Sequence, residues 1–145
     1  MAKVLIIYHS QSGNTEEMAK AVAKGAKRIS ETEVILKKTT ETTLEDLINS
    51  SGIAIGSPDY FSYMAGAVKD FFDRTFYPSQ GKVTEKPCVL FASGGGGGKP
   101  ALESLKRICE SFKFKQIGEV TSAGKPSSAV INECEKLGEK LAKAI

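Results

Sequence analysis

Short apolar runs alternate along the chain with longer segments in which apolar residues recur at helical spacing. The apolar runs predict five strands, over Val4–Tyr8, Glu33–Lys38, Gly52–Ser57, Cys88–Ala92 and Gln116–Thr121. The helical spacing predicts five helices, over Thr15–Ile29, Leu44–Asn49 and Ala65–Phe76, then one that starts at Pro100 and one from Val130 to the C-terminus. Strands and helices that alternate in this way predict an α/β fold with a parallel sheet, right-handed crossovers and helices on both faces.

Polarity predicts the order of the strands in the sheet. Strand two alternates apolar with charged residues, and strand five is short and half polar, so both suit the edges. The apolar strands one, three and four then lie inside, which gives the order 2-1-3-4-5. Ligands of such sheets bind beyond the carboxyl ends of the strands, at the switch point between strands one and three. Three unusual loops leave those ends: the first loop (Ser10–Thr15), the second loop (Pro58–Tyr63) and the third loop (Ser93–Gly98).

Composition is that of an ordinary globular protein. The chain has 145 residues, of which 41% are apolar and 26% charged, and we interpret residues 1–145 as one domain. The net charge of +3 is mild and the lysines are scattered, which argues against nucleic acid as a partner. We find neither a secretory signal nor an apolar run of the ~20 residues that span a bilayer, so we expect a cytoplasmic protein without membrane contact.

Three cysteines, Cys88, Cys109 and Cys134, are far apart in the sequence and form no Cys-x-x-Cys motif. We expect reduced thiols in the core. A reactive or metal-binding cysteine is the alternative, and we predict no metal site.

The first loop has the residues of an anion site. It reads Ser10-Gln11-Ser12-Gly13-Asn14-Thr15 and lies between a buried strand and the start of a helix. A helix start presents unpaired N–H groups and the positive end of the helix dipole, and hydroxyl groups add further donors. No lysine or arginine occurs between Val4 and Glu17, so a phosphate here would be bound by neutral dipoles. The alternative is a capped helix start that binds no ligand.

This loop resembles the FMN-phosphate loop of flavodoxins, whose pattern is Ser/Thr-x-Ser/Thr-Gly-x-Thr, and the match is complete. Together with the strand order, the resemblance implies a three-layer, doubly wound, flavodoxin-like fold over essentially the whole chain. It also implies FMN as the cofactor. The residues that it implies for binding the phosphate, by side chain and backbone, are Ser10, Ser12, Asn14 and Thr15, with Gln11 and Gly13 in the same loop.

The second loop and the helix after it resemble the corresponding segment of flavodoxin-like NAD(P)H:quinone oxidoreductases. The resemblance rests on Gly56-Ser57-Pro58-Asp59-Tyr60-Phe61-Ser62-Tyr63-Met64-Ala65-Gly66, followed by Lys69 and Phe71-Phe72-Asp73-Arg74. In that family the loop packs on the isoalloxazine ring, which implies cofactor contacts for Pro58, Asp59, Tyr60, Phe61 and Tyr63. An aromatic face on the flavin adds stacking and excludes water, and Phe61 is the best candidate, followed by Tyr60. The alternative is that these aromatic residues pack on the third helix as ordinary core.

The third loop is a serine followed by five glycines. Both families contact the flavin ring at this loop, which implies cofactor contacts for Ser93, Gly94, Gly95, Gly96 and Gly97. Glycines permit positive φ angles and let backbone N–H groups approach a ring closely. The alternative is a flexible surface loop without contacts. A P-loop is excluded, because Pro100 follows Lys99 where that motif needs serine or threonine.

His9 is the only histidine, and it lies beside the first loop. No Ser/His/Asp pattern surrounds it, so we expect an anchoring or exposed role and predict no catalytic side chain.

These patterns predict an FMN-binding redox protein that carries electrons between a reductase and acceptor proteins. The chain is short, and it lacks the histidine and the insertions that are typical of the quinone reductases. The alternative is an NAD(P)H-dependent quinone or flavin oxidoreductase, which the segment Pro58–Arg74 and the positive net charge favour. A third hypothesis is a flavin-free interaction module on the same scaffold. Partners would be redox proteins, or NAD(P)H and a quinone, and the oligomeric state stays open.

Overall fold

A parallel sheet forms the centre of the molecule, and the computed structural model describes all residues, Met1–Ile145. The strands are β1 (Ala2–Tyr8), β2 (Thr32–Lys38), β3 (Gly52–Tyr60), β4 (Tyr63–Met64), β5 (Pro87–Gly94) and β6 (Lys115–Ala123). Five of them are parallel in the order β2-β1-β3-β5-β6, while β4 pairs antiparallel with the end of β3. The predicted order is confirmed, because β5 and β6 are the fourth and fifth strands of the prediction.

The polarity of the strands matches their positions in the sheet. The half-polar strands β2 and β6 lie at the two edges, as predicted. In the central strand β1, residues Val4 to Tyr8 are all buried, because helices cover both faces of the sheet. The register pairs Tyr8 with Gly56, and Pro58 with Ser93. The carboxyl ends of β1, β3 and β5 therefore lie side by side, which brings the three unusual loops to one edge of the sheet.

Five α-helices cover the sheet. They are α1 (Asn14–Lys27), α2 (Leu44–Asn49), α3 (Gly66–Ser79), α4 (Lys99–Phe112) and α5 (Ser128–Lys143). One buried cluster joins α1 and α5 to one face of the sheet, with Met18 and Leu141 among its members. A second cluster joins α2, α3 and α4 to the other face, with Leu47, Phe71 and Leu105 among its members. The predicted three-layer architecture is thus confirmed.

The helices α1 and α5 cross at two glycines. A Cβ on Gly25 would lie 1.8 Å from the carbonyl oxygen of Glu135, and one on Gly138 would lie 1.9 Å from that of Val22. Because these neighbours are backbone atoms, the two helices approach as closely as they do only with glycine at both positions. At the rim of the crossing the guanidinium of Arg28 binds the carboxylate of Glu135.

Side chains stabilise both ends of the short helix α2. The Thr43 hydroxyl accepts from the Asp46 N–H at 3.1 Å, and the Asp46 carboxylate accepts from the Thr43 N–H at 2.9 Å, which together form a capping box. At the other end the buried Lys86 amine donates to the carbonyls of Leu47 and Ser50, at 2.6 and 2.5 Å. Burial lowers the pKa of Lys86 to about 8. A six-residue helix needs such partners, because isolated helices of this length are unstable.

The three cysteines are free and buried, which confirms the predicted core thiols. Burial raises the pKa of Cys134 to about 12, and burial also raises that of Cys88. Both groups therefore stay protonated near neutral pH.

No helix of the structure has both the length and the apolar surface that crossing a membrane requires.

The second loop is more ordered than the sequence predicts. The strand β3 continues through Pro58 to Tyr60, and β4 returns along it, so that Tyr60 pairs with Tyr63. In the third loop, Ser93 and Gly94 extend β5 in the same way. Outside the strands lie only Phe61 and Ser62 of the second loop, and residues 95–98 of the third.

Candidate functional site

The first loop leaves the start of α1 without a side-chain cap. Gly13 is the N-cap residue in a left-handed conformation with φ +100°, and a Cβ there would meet no atom within 4 Å. The loop is closed by the Ser10 hydroxyl, which accepts from the Gly13 N–H at 3.1 Å. Ser12 at the tip is exposed. The first N–H groups of α1 thus have no side-chain acceptor, and there is open space next to Gly13 at the helix start.

Two carboxylates, Glu16 and Glu17, lie in the first turn of α1. The Tyr8 hydroxyl donates to Glu16 at 3.1 Å, and the Lys20 amine lies 3.8 Å from the same oxygen. Burial and the neighbouring Glu16 raise the pKa of Tyr8, so its hydroxyl keeps the proton that it donates. The carboxylate of Glu16 is therefore occupied by two groups of the protein.

A buried hydroxyl pair connects the first loop to the third. The side chains of Thr15 and Ser93 hydrogen-bond to each other at 2.8 Å, and the two residues are only 1% and 3% exposed. One of the two hydroxyls must donate to the other, so the pair keeps a single hydrogen for any other acceptor. Thr15 thus has a structural contact that the sequence does not predict.

The tip of the second loop is a tight turn of two left-handed residues. Phe61 has φ +56° and Ser62 has φ +62°, and they connect the paired residues Tyr60 and Tyr63. Positive φ at both central residues is the pattern of a type I′ hairpin turn, which normally holds asparagine or glycine. The side chain of Phe61 is fully exposed. It does not belong to the core, so the alternative of ordinary core packing is wrong for Phe61.

Tyr60 joins the second loop to the first. Its hydroxyl donates to the side-chain carbonyl of Gln11 at 2.8 Å, and its ring packs against the core cluster below. Burial raises the pKa of Tyr60. The ring of His9 lies edge-on to the Tyr60 ring, with 6.0 Å between the centroids. Tyr60 therefore holds the two loops together, and its ring is only partly accessible.

The third loop is fixed at its two ends and open in the middle. The carbonyl of Gly94 accepts from the N–H groups of Gly97 and Gly124, at 3.0 and 2.9 Å. A Cβ on Gly94 would lie 2.9 Å from the Cβ of Asp59, so the second and third loops touch at this point. Gly98 has φ +78° and begins α4. These contacts hold the ends of the loop in place, and its contact with a flavin stays a prediction.

A cavity of about 320 Å³ lies between the second and third loops. Its lining residues are Asp59, Ser62, Gly95, Gly96, Gly98 and Pro100. The backbone of Gly95 and Gly96 is exposed, and a Cβ at either position would meet no atom within 4 Å. A planar ligand therefore has room to lie against this stretch of backbone.

The donors and surfaces of the three loops fit FMN. The uncapped helix start and the serine hydroxyls offer neutral donors for a phosphate. The exposed ring of Phe61 and the bare backbone of the third loop offer two flat surfaces for an aromatic ring system.

Comparison with known proteins agrees with this geometry. A family model described as Flavodoxin matches residues 6–138 of the chain. The chain belongs to the flavodoxin family. A flavodoxin of Aquifex aeolicus (strain VF5) is 36% identical over 160 residues, which cover 98% of this chain and 86% of that protein.

Solved flavodoxin structures have the same fold. A flavodoxin from the domain Archaea superposes with a TM-score of 0.87 at 25% identity, covering 98% of this chain and 97% of that one. The two-electron reduced flavodoxin of Megasphaera elsdenii gives a TM-score of 0.83 at 30% identity, covering 97% and 98%.

Flavodoxins bind FMN and transfer electrons to redox partner proteins. The family and the cofactor predicted from the first loop are thereby confirmed.

Three residues of the cavity were not predicted as site residues: Ser62, Gly98 and Pro100. The run Gly98-Lys99-Pro100 carries a usable signal for the helix start, because proline is typical of the first turn of a helix. Ser62 has no such signal, since its left-handed conformation is unusual for serine.

Proposed function

We propose that this flavodoxin is an electron carrier in which the first loop binds the FMN phosphate and the other two loops flank the isoalloxazine ring. The observation that carries the proposal is the start of α1. It combines a complete hydroxyl pattern, a left-handed glycine and a first turn without a side-chain cap.

The phosphate would be bound by backbone N–H groups and two serine hydroxyls. The Ser10 hydroxyl accepts from the Gly13 N–H, so its own hydrogen is free to donate to the ligand. Ser12 is exposed at the tip of the loop and makes no hydrogen bond within the protein. Thr15 contributes chiefly through its backbone, because its side chain is buried against Ser93. A dianion here is stabilised by the helix dipole rather than by a cation.

Phe61 would stack on the flavin ring. A left-handed conformation costs a residue other than glycine on the order of 1 kcal/mol or more, and exposure of the ring leaves that cost without compensation from the core. Strain of this kind at a fully exposed aromatic residue favours a role in ligand contact. The exposed N–H groups of Gly95 and Gly96 would approach the polar edge of the ring from the other side.

FMN supplies the redox centre, and the residues of the chain bind it, orient it and exclude water from its faces. The loops also set the charge that a partner meets. Lys99 and Lys125 follow the third loop and the loop bonded to it, and both are exposed and form no ion pair. We therefore expect redox partners with acidic surfaces, since rim charges steer association.

One experiment distinguishes the hypotheses. The protein is purified, its visible spectrum is recorded, and NADPH or NADH is added without oxygen, followed by a ferredoxin-type reductase. A carrier is expected to be yellow, to bleach slowly with nicotinamide and to be reduced fast by the reductase. Rapid bleaching by a nicotinamide, with turnover on a quinone, would support the oxidoreductase instead. A colourless protein that cannot be reconstituted with FMN would contradict both.

A further inference from the structure

The carboxylate of Asp59 bonds to two different elements of the site. Its Oδ1 accepts from the N–H of Ser62 at 2.9 Å, which closes the turn at the tip of the second loop. Its Oδ2 accepts from the N–H of Ala101 at 3.0 Å, in the first turn of α4. Both carboxylate oxygens are thus occupied by backbone donors of the protein.

The bond to Ala101 replaces a cap that α4 lacks. Gly98 is the N-cap residue of α4 and has no side chain, so the helix start has no acceptor of its own. Asp59 supplies one from 42 residues earlier in the chain. A carboxylate at this position also interacts favourably with the positive end of the helix dipole. The orientation of the second loop is therefore coupled to the start of the helix that follows the third loop.

A second contact holds the same two elements together. The buried Ser104 hydroxyl accepts from the N–H of Met64 at 3.0 Å and donates to the carbonyl of Ala101 at 2.7 Å. The backbone of Gly94 also lies against the Cβ of Asp59. The hairpin formed by β3 and β4 is thus bonded to the start of α4 at two points. Asp59 of β3 accepts from Ala101, and Met64 of β4 donates to Ser104.

We propose that Asp59 is a positioning residue that sets the distance between the second and third loops, and with it the width of the FMN cavity, through its bonds to Ser62 and Ala101. The inference rests on the proposed function, because the cavity matters only if FMN lies in it. Asp59 then acts on FMN through the loops, because each of its two carboxylate oxygens already accepts from a backbone N–H of one of the elements that it connects.

The test compares Asp59→Asn with Asp59→Ala. Asparagine keeps the shape but has one acceptor oxygen, so it can satisfy only one of the two N–H groups. Alanine satisfies neither. We expect FMN binding to the apoprotein, followed by quenching of flavin fluorescence, to weaken about fivefold in Asp59→Asn and about thirtyfold in Asp59→Ala. The visible circular dichroism of bound FMN should change in the same order, because it reports the environment of the ring.

Asp73→Asn is the matched control, since Asp73 is an exposed aspartate of α3 that pairs only with Lys69. Its FMN affinity should stay within about twofold of the parent protein. If FMN affinity rose equally in Asp59→Asn and Asp59→Ala, the Asp59 carboxylate would act on FMN only by charge repulsion. If FMN affinity and circular dichroism stayed unchanged in both variants and only the melting temperature fell, Asp59 would serve only as the cap of α4. Either result overturns the proposal.

Amide hydrogen exchange of the apoprotein separates this inference from the proposed function. In Asp59→Ala the amides of Ser62 and Ala101 should exchange faster than in the parent, whether or not FMN binds. If the parent protein bound no FMN, the proposed function would fail, and unchanged exchange at these two amides would independently refute the coupling of the loops.

Discussion

The helices α1 and α5 cross on one face of the sheet, yet they begin in different ways. At the start of α5 the Ser127 hydroxyl accepts from the Val130 N–H at 3.2 Å, so the helix has a side-chain cap. At the start of α1 the N-cap residue is Gly13, which has no side chain to offer. The two helices are otherwise alike, since each buries an apolar face in the same cluster.

From this difference in capping we infer that the start of α5 contributes to stability and the start of α1 to ligand binding. At the start of α5 a side chain binds one of the first N–H groups, whereas those of α1 have no side-chain acceptor, and a bound anion would supply one. The crossing lies in the second half of α1 and in the middle of α5, away from both helix starts. We therefore expect substitutions at the crossing to change the free energy of unfolding, and substitutions at the start of α1 to change FMN affinity.

The largest effect is expected at the crossing itself, from Gly138→Ala. The new Cβ would lie 1.9 Å from the carbonyl oxygen of Val22 and 2.9 Å from the nitrogen of Ala26, so the two backbones must separate. We expect a loss of ~3 kcal/mol or more in the free energy of unfolding, measured by urea denaturation.

Gly66→Ala is the matched control for this substitution. Gly66 begins α3, its φ is not positive, and a Cβ there would meet no atom within 4 Å. Its unfolding free energy should stay within ~0.5 kcal/mol of the parent. A Gly138→Ala variant as stable as Gly66→Ala would mean that the close crossing is not needed.

At the start of α1 we expect Ser12→Ala to weaken FMN binding about tenfold, or ~1.4 kcal/mol, while the unfolding free energy of the apoprotein stays unchanged. Ser12 is exposed and has no partner in the protein, so only the ligand loses a donor. Fluorescence titration of the apoprotein with FMN measures the change. Thr15→Ala is a poorer test, because it would also remove the buried partner of the Ser93 hydroxyl. Equal affinity of Ser12→Ala and the parent would remove Ser12 from the phosphate site.

The sequence predicts well those features that depend on neighbouring residues. Polar alternation in strand two predicts its place at an edge, and the pattern Ser10–Thr15 predicts both a helix start and the cofactor. Each signal is contained in a few consecutive residues, so no knowledge of distant contacts is needed.

The sequence does not predict features that have no recognisable local pattern. The strand β4 has only two residues, and its turn holds Phe61 and Ser62 in place of the asparagine and glycine that identify such turns. The bond from Asp59 to Ala101 spans 42 residues, and no local pattern indicates it. The sequence therefore predicts which loops form the site, whereas the contacts between those loops appear only in the structure.

The smallest effect is expected at the start of α5, where Ser127→Ala should lower the unfolding free energy by ~1 kcal/mol and leave FMN affinity unchanged. Ser127→Asn should restore most of the loss, because asparagine is also a good cap. Ser12→Ala and Ser127→Ala together test the comparison in both directions. The first should change only FMN affinity, and the second only the unfolding free energy. If Ser127→Ala weakened FMN binding as much as Ser12→Ala does, the two helix starts would be coupled through the crossing. In that case the site could not be treated as independent of the packing beneath it.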